Sequence, residues 1–179
     1  MKKNKVIMLA IVALSALFLP RSLKAQADKG KLMKDSKEAK MAFIKTDESM
    51  KDLFDKSYGY AIFPNVGKGA VVVGGAGGNG IVYEKGKAIG TAKMVQVTAG
   101  AQVGGQAYRE VIFFENKYAL DRFKENKLEF SGQVSAVAAK SGASATAKYT
   151  DGVAVFTEER GGLMLEASLG GQKFTYKPL

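Results

Sequence analysis

The stretch 59-GYAIFPNVGKGAVVVGGAGGNGIVY-83 decides the fold. Its compact apolar runs, Gly59–Phe63, Ala70–Gly74 and Gly80–Tyr83, are rich in β-branched and aromatic residues and punctuated by glycine, a pattern of short strands. The same pattern returns at a constant offset of 93 as 152-GVAVFTEERGGLMLEASLGGQKFTY-176. Seven positions are identical, namely Gly59/Gly152, Ala61/Ala154, Phe63/Phe156, Gly69/Gly162, Gly77/Gly170, Gly78/Gly171 and Tyr83/Tyr176. Each copy reads strand, loop, strand, Gly-Gly turn, strand. Neither can bury an apolar face alone, so both are expected to join one sheet system.

Working outward, Glu84-Lys85-Gly86-Lys87 has the composition of a hairpin tip, and Val111–Phe114 is a further strand. Residues 116–126, NKYALDRFKEN, set Tyr118, Leu120 and Phe123 in a charged frame with Asn116 as cap, which predicts a central helix. Residues 130–148 are rich in Ala, Ser and Gly. They read as one or two closely packed strands, or as low complexity. Before the β region, residues 29–57 read as helix: Leu32, Ser36, Ala39 and Phe43 recur at helical spacing, with Lys34, Lys37 and Lys45 opposite. Thr46 or Asp47 is placed to cap a second segment carrying Met50, Leu53 and Phe54. The expected fold class is α+β, a β-rich antiparallel sandwich or barrel-like single domain with N-terminal amphipathic helices and one central helix near 116–126.

The N-terminus has the form of an export signal. Lys2, Lys3 and Lys5 precede an apolar run from Val6 to Leu19, and Ala25-Gln26-Ala27 offers small residues where a signal peptidase reads. The run falls short of the roughly 18 apolar residues a spanning helix needs, although Arg21 and Lys24 beyond it favour an uncleaved anchor as the alternative. The expected organisation is a signal peptide at 1–27, a helical segment at 28–57 and a β-rich domain at 58–179, with 28–179 one folded unit. The expected location is outside the cytoplasm, periplasmic or secreted, free or membrane-associated. The formal charge of the chain is +10, but five of its 27 basic residues and none of its 17 acidic ones lie in 1–27. The remainder is mildly basic, suited to weak attraction to anionic lipid and without the dense Arg patch of a nucleic-acid binder.

Composition excludes much chemistry. The chain has no Cys, His or Trp, which removes disulfides, thiolate or imidazole metal sites and every His-based triad. Gly75-Ala76-Gly77-Gly78-Asn79-Gly80 satisfies G-x-G-x-x-G, yet Ile81-Val82-Tyr83 continues as strand where a dinucleotide site needs a helix start. Those glycines are better read as a turn or a close approach of strands. Glu158 and Glu159 are strand neighbours and point to opposite faces, and Glu110 and Glu115 bracket a strand, so no acid/base dyad is drawn. No cofactor, metal site or catalytic residue is expected.

Three blocks resemble one family. Phe63-Pro64-Asn65-Val66-Gly67-Lys68-Gly69, with Val73-Gly74-Gly75 and Gly78–Val82, is similar to the opening signature of SYLF (Ysc84-like) domains. Ala99–Gln106 resembles their central A-G-x-Q-x-G-x-Q block, and Arg160–Met164 with Ser168–Gly171 resembles their closing block, here with an extra glycine and Glu166. The resemblance runs from about Leu53 to Tyr176. It implies a compact β-rich domain that binds phospholipid. Relatives of the yeast type are associated with actin, a property not carried over to a chain with an export signal. The leading expectation is a non-enzymatic phospholipid-binding protein at an anionic membrane surface, through Lys31, Lys34, Lys37, Phe43 and Lys68. Asn65, Lys68 and Arg160 occupy corresponding loops of the two copies, where a cation contacts lipid phosphate or serves structure. The alternatives are a cell-envelope assembly protein binding a protein partner through strand edges, and a small outer-membrane barrel, whose alternation the runs lack.

Overall fold

A computed structural model describes residues 19–68, 75–97, 107–128, 137–138, 144, 148–159, 162–166 and 172–179. The chain divides into two compact units, up to Lys34 and Asp35–Leu179. Most of the predicted signal peptide lies outside the described residues, as do the Ala70–Gly74 run and nearly all of 130–148. The larger unit starts at Asp35 rather than at residue 28.

Helix α1 spans Leu19–Thr46 and α2 spans Met50–Lys56. The break falls at Asp47, whose Oδ1 accepts from the Ser49 backbone N–H at 3.0 Å while its carbonyl accepts from Met50 at 3.0 Å. A short polar side chain that bonds its own downstream backbone favours a turn over continued helix. The strands are β1 Gly59–Lys68, β2 Gly75–Glu84, β3 Lys87–Val97, β4 Tyr108–Phe114, β5 Val137–Ala138, β6 Val153–Glu159, β7 Gly162–Glu166 and β8 Gln172–Pro178. Helix α3, Lys117–Lys124, follows β4. They form one antiparallel sheet in the order β5-β7-β6-β4-β1-β2-β3-β8. The expected β-rich α+β architecture is the one observed.

Both faces of this sheet are put to use. On one, Tyr60, Phe113 and Phe156 pack in a chain of rings, and Phe54 of α2 meets Tyr60 at 5.0 Å and Phe113 at 4.9 Å. Lys40 of α1 lies over the Phe54 and Tyr60 rings at 4.7 and 5.4 Å, where burial lowers its ammonium from the usual value against the opposing charge of Asp55. Ser36, Ala39 and Phe43 are buried along α1, so the predicted apolar stripe is a packing stripe. The other face carries Ala61, Phe63, Val82, Met94, Ile112, Phe114 and Phe174. Helix α3 closes onto it: Ala119, Leu120 and Phe123 are buried there, and the Phe123 ring lies tilted 5.0 Å from both Phe114 and Phe174. Burying each such ring contributes roughly 1.5–3 kcal/mol.

That second face is concave. Strands β4 and β8 stand four places apart, roughly 19 Å across a flat sheet at about 4.8 Å per strand. Yet Gln172 Nε2 of β8 donates to Glu110 Oε2 of β4 at 3.1 Å, and Tyr108 of β4 donates to Gln96 of β3 at 2.9 Å. The sheet is therefore curled tightly enough for its members to touch across the interior. Glycines permit this: a Cβ on Gly80 would stand 2.5 Å from the Ile62 carbonyl oxygen, and one on Gly90 would stand 2.1 Å from the Tyr176 ring. The G-x-G-x-x-G segment is thus β2 itself, with its Gly-Gly pair opposite Gly67 and Val66 rather than in a turn.

Turn chemistry is local. Lys85 and Gly86 take φ of 48° and 76°, as a two-residue hairpin with the native twist requires, and Asp151-Gly152 repeats it at 51° and 78°. Asn116 caps α3, its Oδ1 accepting from Ala119 N–H at 3.0 Å, as its sequence position predicts.

The internal echo does not become a structural repeat. Both β1 and β6 flank β4, but Ala61 pairs with Ile112 whereas Ala154 pairs with Phe113. A one-residue difference in register sends equivalent side chains to opposite faces. Phe63 accordingly meets Phe174 on the concave side, and Phe156 meets Phe113 under the helices.

Candidate functional site

A bulge in β1 between Phe63 and Val66 sets Pro64 and Asn65 at the rim of a cleft of about 460 Å³. Asp35, Glu38 and Ala39 of α1 form one wall, and Ala107, Tyr108, Arg109 and Glu158 form the other. Arg109 donates to Glu158 Oε2 at 2.7 Å, and Thr46 donates to Glu158 Oε1 at 2.6 Å. The guanidinium is thus neutralised by a largely covered carboxylate, and Asp35 and Glu38 add two further acids to the lining. Three acids against one base make this cleft a poor seat for a phosphate.

Beside it lies a polar cluster that ties distant chain together. Asp47 Oδ2 accepts from Ser144 N–H at 3.2 Å and Ser144 Oγ at 2.8 Å, and Ser49 Oγ also donates to this carboxylate. Burial pushes the carboxyl up, but these hydrogen bonds outweigh it and hold Asp47 at about 2. Inside the curled sheet, Glu110 and Thr157 are buried on the neighbouring strands β4 and β6, register-paired with each other, and Gln172 of β8 is buried across the interior from them. Among the described residues no group of three or more acids is placed to hold a metal. Glu110 is fully buried in β4 while Glu115 is exposed beyond its end, so those carboxylates do not face each other.

The sequence-chosen residues separate. Lys31 and Lys34 are exposed on the N-terminal part of α1, and Lys37 is exposed on the part belonging to the larger unit. Phe43 is corrected: its side chain is fully buried in the core and presents nothing to a membrane. Among the described residues, the large apolar side chain exposed on α1 is Met41, at 70%. At 100° per residue, Lys37, Met41 and Lys45 share one face, opposite Ala39 and Phe43. Lys68 ends β1, paired with Ala76. Arg160 lies outside the described residues. Reading the stripe from Phe43 missed Met41, although its spacing from Lys37 and Lys45 gave the signal.

Comparison with known proteins adds two findings. Residues 95–177 match the family model Ysc84, described as Las17-binding protein actin regulator. Over 126 residues, 70% of this chain, the sequence is 36% identical to Beta cell expansion factor A of Aeromonas veronii. The chain carries a Ysc84 (SYLF) domain.

The matched part of the SYLF domain runs from the end of β3 through β4, α3 and β6 to β8, so β1, β2 and most of β3 complete a sheet whose other strands the match contains. Of the SYLF motif blocks, Phe63–Lys68 forms the bulged half of β1, and Ala99–Gln106 lies outside the described residues. The chain spans about half the length of the curated relative it matches.

Proposed function

We propose that this SYLF protein is an exported, non-enzymatic phospholipid-binding protein that acts at an anionic membrane surface. The observation that carries the reading is the outer face of α1, where the exposed Met41 stands between exposed Lys37 and Lys45 while the opposite stripe is consumed by packing. An apolar side chain flanked by lysines on a helix surface suits the boundary between headgroups and acyl chains. Lys31 and Lys34, exposed on the N-terminal unit, are cations of that unit alone. The family model's description names Las17 and actin, but a basic n-region followed by an apolar run directs the chain to export, away from a cytoskeleton.

The interior argues for surface contact over engulfment of an acyl chain. Phe63, Phe114, Phe123 and Phe174 fill the concave side, and α3 covers it. An outer-membrane barrel requires a polar lumen, whereas Phe63, Phe114, Phe123 and Phe174 line the inside of this sheet. Co-sedimentation of the purified protein with vesicles tests the reading. Binding to anionic but not zwitterionic vesicles, weakening as salt rises, is the expected result. Equal recovery in the supernatant with every vesicle at low salt refutes it and turns attention to a protein partner.

A further inference from the structure

The outer face of the sheet is covered by α1 and α2 only in part. At its β3–β8 end, alternation places Lys93 with Thr91 and Val95, and Lys173 with Thr175 and Lys177, on the side away from the concave core. Lys93 pairs with Thr175 on one side and Asn79 on the other, Thr91 pairs with Lys177, and Val95 pairs with Lys173. Lys93, Lys173, Lys177, Thr175 and Asn79 are exposed. Lys93 is therefore a diagonal neighbour of both other lysines, within about 7–8 Å at the backbone.

This face gathers three exposed lysines on two paired strands. Five cations elsewhere on the described surface are paired: Lys56 with Asp52, Lys117 with Asp121, Lys124 with Glu84, Lys127 with Glu125 and Arg109 with Glu158. Among the described residues, Lys93, Lys173 and Lys177 make no ion pair, and β3 and β8 carry no carboxylate. Guarding an end strand against unwanted pairing accounts for lysines on β8. It does not account for Lys93, which sits on β3 with partners on both sides. Three clustered like charges repel one another, so their convergence points to an anionic surface that neutralises them. The hydroxyls of Thr91 and Thr175 and the amide of Asn79 add donors suited to phosphate oxygens.

We propose that this β3–β8 face is a docking surface for an anionic phospholipid bilayer, a contact separate from the α1 face. The proposal rests on the lipid-binding reading above. Its test compares the full-length protein with Lys93→Gln/Lys173→Gln/Lys177→Gln and with Lys37→Gln/Lys45→Gln on phosphatidylcholine vesicles containing or lacking phosphatidylserine. Loss of three membrane-facing lysines is expected to weaken partitioning about a hundredfold. Because the chain has no cysteine, Thr175→Cys carries a single environment-sensitive dye on an otherwise native face, and its emission should shift to the blue on binding anionic vesicles. If wild type binds and the dye at position 175 stays unshifted, or the triple variant binds within twofold of wild type, the face is not the contact. If wild type itself fails to bind, the lipid reading falls and takes this proposal with it.

Discussion

Asp47→Asn is expected to change how stability depends on pH, and not merely how large it is. The wild-type carboxylate, 4% exposed, accepts from Ser49 and Ser144, and sits at about 2 against an ordinary 3.8. A carboxyl whose folded value is depressed contributes stability that is fully present above its unfolded value and lost as pH falls through the folded value. The depression corresponds to somewhat over 2 kcal/mol by linkage, and solvent near the cluster trims this to about 2 kcal/mol. Asparagine keeps one acceptor oxygen for the Ser49 N–H but turns an NH₂ toward the Ser144 N–H, so the penalty at neutral pH is of that size. For a folded unit of this length it lowers the melting temperature by roughly 4–8 °C. Thermal denaturation of both proteins, followed by circular dichroism across about pH 2–6, checks it. The gap between them should be full above about pH 4 and shrink as pH falls toward about 2, because protonation of Asp47 removes what the variant already lacks. A gap of constant size across that range refutes the account of Asp47 as a charged anchor for Ser144.

Other substitutions probe the remaining links. Phe123→Ala empties the space between Phe114 and Phe174 and should cost about 3–5 kcal/mol in urea unfolding, α3 remaining the plug of the concave face. Gly80→Ala drives a Cβ into the Ile62 carbonyl and the Phe63 ring, and should destabilise by about 1–3 kcal/mol in the same assay; an unchanged midpoint contradicts the close approach. Met41→Glu should weaken binding to anionic vesicles with an unchanged melting temperature, whereas Phe43→Glu should unfold the protein, which separates the outer face of α1 from its packed one. Asn116→Ala removes the cap of α3 and should cost about 1 kcal/mol, read as a lower thermal midpoint.

Several features were legible because they are local. The Lys85-Gly86 turn, the Asn116 cap and the strand character of Gly59–Phe63 depend on residues within a few positions of one another. The lysine face was written in the sequence as well, since K-F-T-Y-K at 173–177 alternates cation, aromatic, hydroxyl, aromatic, cation. Its meaning was not, because Lys93 joins it only through the β3–β8 pairing, some eighty residues across the chain. Phe43 illustrates the opposite error. A helix with one apolar stripe offers it equally to a core or to a membrane, and only the sheet beneath decides between them.

By itself the sequence determined the β-rich class, the absence of cysteine and histidine chemistry and the family, because each rests on composition, short-range periodicity or motif order. The tertiary structure decided which face each strand presents. The two similar segments, 59–83 and 152–176, carry the same apolar alternation, and nothing within either says which side is inward. That choice was made by the register of each against β4, Ala61 opposite Ile112 and Ala154 opposite Phe113, where a shift of one residue reverses every side chain.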